Sequence, residues 1–207
     1  MPLINATLRG DVKAAERSIK GADIHEDDDY ALRFAAANGN FEIVKLLLEN
    51  GADVHAMSDY PLRWASENGH SEIVKLLLEK GANVHAVNNT PICFAVLHEH
   101  LRIVKMLLDK GADMYVCDNY PIRAACKGSQ RGIIRLFLKK GIDVHFRNNY
   151  LFWLANHFEI TKELTRWSFP DNEFLYSTSG LVLKESFFWN LPKQMIEEVS
   201  RCLFSLN

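Results

Sequence analysis

Hydrophobic and polar positions recur along this chain with a period of 30 residues. Gly51-Ala52-Asp53-Val54-His55 returns as Gly81-Ala82-Asn83-Val84-His85, Gly111-Ala112-Asp113-Met114-Tyr115 and Gly141-Ile142-Asp143-Val144-His145, and Gly21-Ala22-Asp23-Ile24-His25 precedes it. Within one period, Tyr60 to Gly69 predicts a short helix. Asp59 supplies its N-cap, Pro61 lies in its first turn, and Gly69 ends it in the left-handed conformation. Ser71 to Lys80 predicts a second helix, in which Ile73, Val74, Leu76, Leu77 and Leu78 make a wide apolar face, and Gly81 stops it. Asp29, Asp59, Asn89, Asn119 and Asn149 fill the cap column, and all five are cap-forming types. A pair of short helices cannot bury its own apolar face, so each unit must stack on its neighbours. The expected fold class is therefore all-α, a solenoid of stacked antiparallel helix pairs.

These motifs carry a resemblance. Leu-x-x-Ala, Gly-His-x-Glu-Ile-Val-Lys-Leu-Leu-Leu and Gly-Ala-Asp-Val resemble the ankyrin consensus, and Thr90-Pro91-Ile92 matches its Thr-Pro-Leu helix start. The resemblance covers residues 2–166. Ankyrin units usually run to about 33 residues. The three residues missing here fall between His55 and Tyr60, where the family builds its β-hairpin finger, so shortened fingers are implied. The short form with Asp59-Tyr60-x-Leu62-Arg63-Trp64-Ala65-Ser66 is similar to the ankyrin arrays of giant DNA viruses of amoebae. Four full units then span 26–55, 56–85, 86–115 and 116–145. A half-unit (2–25) precedes them and a degenerate unit (146–166) follows, giving an array over 1–166 and a C-terminal cap or tail over 167–207. Glu99 and Ser129 replace the helix-ending glycine, so the third and fourth full units are expected to be the softer part of the stack.

Composition narrows the function. With 48% hydrophobic and 24% charged residues the chain can fill one or two packed domains. Its 24 basic and 26 acidic residues set up no field that favours nucleic acid or an anionic membrane. Cys93, Cys117, Cys126 and Cys202 form no CxxC pair and are too few for a disulfide framework, which fits reduced thiols in a cytoplasmic setting, host cytoplasm for a viral protein. Arg9 and Asp11 interrupt any apolar leader, and no apolar run reaches the roughly 18 residues of a membrane span. The sequons at Asn5 and Asn88 are then read as chance. No phosphate-binding glycine loop, HExxH or nucleophile elbow is present, so no enzyme, cofactor or metal site is expected.

A period of 30 also stacks like residues in columns. His25, His55, His85 and His145 form one. Neighbouring helices lie about 8–10 Å apart, too far for ligands that each approach a zinc ion to roughly 2 Å. Each imidazole is instead expected to bond the backbone of the adjoining turn, as the family's Asn does. Lys45, Lys75, Lys105 and Arg135 read as a solvated helix face, with Glu42 and Glu72 as i,i+3 partners of the first two. Arg33, Arg63 and Arg123 stand where the family often has His, and are expected to bridge neighbouring units. Phe34, Trp64 and Phe94, followed by Ala124, stand at a position that tends to face the concave groove in the family. They either present an aromatic stripe to a partner protein or fill space left by the short fingers. The same resemblance implies partner contacts at the variable positions Asp29, Asn38, Ser58, Asp59, Glu67, Asn68, Asn89, His98, Asn119 and Lys127, and also at Asp28, Ala37, Asn88, Leu97, Asp118 and Gly128. The strip turns from acidic to mixed along the array, which suits a ligand with a basic end near the first two units.

After Trp167 the period is lost, and Pro170, Asp171, Asn172 and Gly180 mark turns. Phe187 to Leu203 then predicts an amphipathic helix. Leu191, Pro192, Gln194 and Met195, with Val199 and Leu203 after them, resemble the start of an F-box, the element that docks on the Skp-type adaptor of cullin ubiquitin ligases. Poxvirus ankyrin proteins carry a shortened F-box in this position. Gln194 stands where the motif often has Glu, and the chain ends before the later F-box helices. The alternative is that this helix seals the last repeat. The expected protein is a monomeric, non-catalytic scaffold that grips a partner protein in its groove, a host protein for a viral origin. The alternative is a substrate receptor that also recruits a ligase adaptor.

Overall fold

A computed structural model describes residues 2–142 together with the backbone of 175–177 and 180–182. The chain divides into two compact units, Met1–Pro121 and Ile122–Asn207.

The first unit opens with α1 (Pro2–Arg9) and α2 (Val12–Ser18), followed by a 3-10 turn at Ile19–Gly21. Asp11 caps α2 by accepting from Ala14 N–H at 2.9 Å. The repeats then alternate inner and outer helices: α3 (Glu26–Asn38) with α4 (Phe41–Glu49), α5 (Ala56–Glu67) with α6 (Ser71–Glu79), and α7 (Ala86–Leu97) with α8 (Leu101–Asp109). The next inner helix, α9 (Val116–Lys127), begins in this unit. Inner helices pack on inner helices, α3 on α5 and α5 on α7, while α4, α6 and α8 make the outer row.

The 30-residue period is a period of burial. Leu32 and Ala35, Leu62 and Ala65, and Ile92 and Ala95 are fully buried on the inner helices. Ile43, Val44 and Leu47 are fully buried on α4, and Ile73, Val74 and Leu77, then Ile103, Val104 and Leu107, are at most 2% exposed on the next two outer helices. Each such large aliphatic side chain contributes roughly 1.5–3 kcal/mol on leaving water. The alanines let the inner helices approach closely. Leu3, Ala6 and Ala15 of α1 and α2 are also buried, so the N-terminal pair covers the apolar face of the first full repeat, with α1 against α3 and α2 against α4.

Gly39 and Gly69 end the inner helices with φ of 80° and 81°, and a Cβ on either would lie 2.6 Å from the imidazole of His70 or His100 in the following repeat. Glycine is demanded there twice over, by backbone conformation and by contact. Glu99 and Ser129 take the same left-handed conformation with side chains attached, at φ of 64° and 54°.

The shortened finger has a definite form. Three successive non-glycine residues of each connection are left-handed: Asp27–Asp29, Met57–Asp59, Val87–Asn89 and Cys117–Asn119. Each makes one left-handed turn, closed in the second repeat by Asp59 N–H bonding His55 C=O at 3.0 Å, before the right-handed helix starts. None of the fingers among the described residues contains a strand, in keeping with the three missing residues.

In the second unit, α9 continues and α10 (Arg131–Lys139) follows, with Ile122, Ala125, Cys126, Ile133, Ile134, Phe137 and Leu138 buried. Further on, β1 (Leu175–Ser177) pairs antiparallel with β2 (Gly180–Val182), Leu175 opposite Val182 and Ser177 opposite Gly180. The sequence pattern does not predict this hairpin, and it places Gly180 in a strand rather than at a turn. The expected array boundary near 166 lies outside the described residues, as do His145, Asn149 and the helix expected at 187–203.

Candidate functional site

Phe34, Trp64 and Phe94 occupy equivalent places on α3, α5 and α7, and each is half-buried. Helical spacing adds a second aromatic four residues earlier in two repeats. Tyr30 lies 6.0 Å from Phe34, and Tyr60 stacks on Trp64 at 3.9 Å with the rings 6° from parallel. Trp64 meets Phe94 of the next repeat edge-on, at 6.1 Å and 85°.

Guanidinium groups bind these rings together. Arg33 lies 5.5 Å from the Tyr30 ring and 5.4 Å from the Tyr60 ring of the following repeat. Arg63 lies 5.6 Å from Tyr60 and 4.9 Å from Trp64. The same two side chains hold the left-handed turns of their own repeats. Arg33 Nε donates to Asp28 C=O at 2.8 Å and Nη2 to Asp27 C=O at 2.6 Å; Arg63 donates to Ser58 C=O at 3.1 Å and Met57 C=O at 2.9 Å. The expectation that these arginines bridge units is therefore only half the account: the ring contact of Arg33 crosses to the next repeat, and the hydrogen bonds stay at home. Burial lowers the Arg63 pKa, opposed by Tyr60 and Asp59. In the third repeat Thr90 and Cys93 replace tyrosine and arginine, and Thr90 Oγ1 donates to the Val87 carbonyl instead.

The cap column has a different role from the one predicted. Asp29, Asp59 and Asn89 point into the seam between repeats rather than at their own helix amides. Asp29 Oδ1 accepts from Asp53 N–H at 2.9 Å, Asp59 Oδ1 from Asn83 N–H at 2.7 Å, and Asn89 Oδ1 from Asp113 N–H at 3.0 Å. With Asn119 they are only 4%, 4%, 8% and 4% exposed, so burial removes all four from the surface on which partner contacts were expected. The histidine column bonds these side chains and not the turn's backbone. His25 Nδ1 reaches Asp29 at 3.1 Å, His55 Nδ1 reaches Asp59 at 3.0 Å, and His85 Nδ1 reaches Asn89 at 2.8 Å. The hydrogen bond to Asp29, and then its charge, raise the His25 pKa.

A second column, His70 and His100, was not singled out in the sequence although it repeats at the same interval. Nε2 of each faces a carbonyl of the preceding repeat, Ala37 at 3.0 Å and Glu67 at 2.8 Å, and must carry the proton to do so. Of the other expected contacts, Asn38, Ser58, Asn68, His98 and Lys127 are exposed and Glu67 is half-buried. The Asn68 amide donates to Ala37 C=O at 2.8 Å, and the Asn38 amide to Phe34 C=O at 2.9 Å. Burial pushes the Cys93 thiol up to about 11, aided by Cys117 and Asp113, and the Cys126 thiol up to about 12, so neither is an activated nucleophile near neutral pH. No group of three His, Cys, Asp or Glu among the described residues is arranged to hold a metal ion, and none of their helices is long and apolar enough to cross a membrane.

The model of the family described as ankyrin repeats (3 copies) matches residues 3–88 and 57–118, together more than half of the chain. The chain belongs to the ankyrin-repeat family. Among curated proteins, none matches it. Ankyrin repeats generally mediate protein–protein interaction and are typically non-catalytic. In this ankyrin array the aromatic–guanidinium row is built within each repeat and joined across repeats by Arg33 on Tyr60 and Trp64 on Phe94. The adaptor-docking residues expected from the tail, Leu191, Pro192, Met195, Val199 and Leu203, lie outside the described residues.

Proposed function

We propose that the protein is a non-catalytic scaffold that binds a partner protein across the face made by its inner helices, with Phe34, Trp64 and Phe94 as apolar contacts. Asn38, Ser58, Glu67, Asn68 and His98 supply polar contacts around them, and Lys127 of the second unit is a separate contact. The supporting observation is Trp64. It is half-buried, stacked on Tyr60, lies under Arg63 and meets Phe94 edge-on, so its ring is held in one orientation before any partner arrives. Rigid aromatics lose little freedom on binding and often carry most of an interface's energy.

The test begins with a partner recovered by affinity purification from the source cell. Trp64→Ala is expected to weaken its binding by about 2 kcal/mol, roughly 30-fold, while circular dichroism still reports a folded array. A variant that unfolds, or one that binds at full strength, would instead make the stripe packing for the short fingers.

A second reading rests on the sequence Leu191-Pro192-x-Gln194-Met195, with Val199 and Leu203. There the array holds a target while the tail recruits a Skp-type adaptor of a cullin ubiquitin ligase. Such an adaptor should be pulled down by the full chain and lost on deletion of 187–207.

A further inference from the structure

Met57 and Val87 are out of place by every local rule. Both are left-handed, at φ of 46° and 44°, a conformation in which a branched or long side chain is strained and Asn or Gly is at ease. Both are apolar, yet 49% and 50% exposed. They begin the turns of adjoining repeats, and Asp27 has the same place in the first, beside Asp28. The turns are locked: Arg33 holds the Asp27 and Asp28 carbonyls, Arg63 holds those of Met57 and Ser58, and Thr90 holds that of Val87. The seam bonds from Asp29 to Asp53 N–H and from Asp59 to Asn83 N–H tie each turn to the next repeat. Along this edge the surface therefore reads carboxylate, apolar, apolar. Of Asp27 and Asp28, Arg33 bonds the carbonyls and not the carboxylates, and both residues are exposed.

We propose that Asp27 with Asp28, Met57 and Val87 form a three-point docking row for an extended segment of a partner protein that presents one basic side chain and two apolar ones at three-residue intervals. The interval follows from geometry. Packed helices repeat at about 8–10 Å, and a segment in the extended polyproline II conformation rises about 3.1 Å per residue with three residues per turn, so side chains three apart share one face and span one repeat. The charge order follows from complementarity: the basic residue lies over Asp27 and Asp28, and the apolar pair over Met57 and Val87. Strained backbone of this kind is held by the structure around it and clusters at sites that clamp ligands.

The inference rests on the proposal that the array binds a protein, and its test separates the two. A library of random 12-residue peptides displayed on phage is panned against the full chain. Enriched peptides are expected to share a basic and two apolar residues three apart. Their affinity should fall at least tenfold in Met57→Asn and in Val87→Asn, and should lose much of its salt dependence in Asp27→Asn with Asp28→Asn. Asparagine accepts the left-handed conformation, so these variants should melt no lower than the parent and lost binding cannot be lost folding. A library without enrichment, peptides without that spacing, or binding indifferent to Met57→Asn and Val87→Asn would each overturn the row. Peptides lost in Trp64→Ala but kept in those two variants would overturn the row and leave the inner-helix scaffold standing.

Discussion

At the scale of single residues, the seam between repeats is where charge and burial meet. His25 is exposed, and its imidazole pKa is raised by the hydrogen bond to Asp29 and then by its charge. A raised folded value means that the pair's contribution is complete below the unfolded value and is lost as pH climbs through the folded one. The His25 ring should thus titrate by NMR above its value in the unfolded chain. Asp29→Asn should lower that midpoint while sparing the fold, since Asn89 fills the same place in the third repeat and still accepts from Asp113 N–H. Ser66 is another local anomaly. Its hydroxyl is buried without a hydrogen-bond partner, at the position that Ala36 holds one repeat earlier. Ser66→Ala should raise stability by about 1 kcal/mol in urea unfolding, because it removes a desolvated polar group and leaves no hole larger than an oxygen; a loss of stability would show that the hydroxyl is bonded.

At the scale of the element, each inner helix begins with a left-handed turn that isolated L-residues resist by roughly 1–2 kcal/mol apiece. Arginine makes the turn tenable in the first two repeats, because one planar fork satisfies two adjacent carbonyls while its face rests on aromatic rings. Lysine can supply the charge but not the fork. Arg63→Lys should therefore cost about 1–2 kcal/mol in thermal unfolding, with the loss falling in the turn at 57–59 rather than in the core. A near-neutral result would mean that the seam bonds alone hold the turn. The aspartates and asparagines of these turns were legible in the sequence as cap-forming types. Their direction was not: a carboxylate one residue before a helix can serve its own amides or a neighbour's, and the left-handed backbone turns it to the neighbour.

At the scale of the whole molecule, a solenoid is only as uniform as its repeats. The third full unit has Cys93 where arginine holds the earlier turns, and Glu99 in a left-handed position that glycine fills at Gly39 and Gly69. Both changes remove support, and they act on opposite ends of one helix, α7. Amides of 86–115 are expected to exchange faster than those of 56–85; equal protection would mean that stacking alone sets local stability.

By itself the sequence determined the length of the repeat, the helix pairs, the residues that fill their core and the shortness of the fingers. Period and apolar spacing are local properties, and a 30-residue unit with two apolar faces has few ways to stack. Tertiary structure decided what the polar columns do. Whether Asp29 faces solvent or the next repeat, whether Arg33 binds a ring or a carbonyl, and whether Met57 is covered all depend on the approach of one repeat to another and on a left-handed turn. The residue types at those positions permit such a turn without requiring it. The aromatic stripe lies between these cases. Its members were visible as a column in the sequence, but the edge-on contact of Trp64 with Phe94 and the reach of Arg33 to Tyr60 exist only where the helices meet.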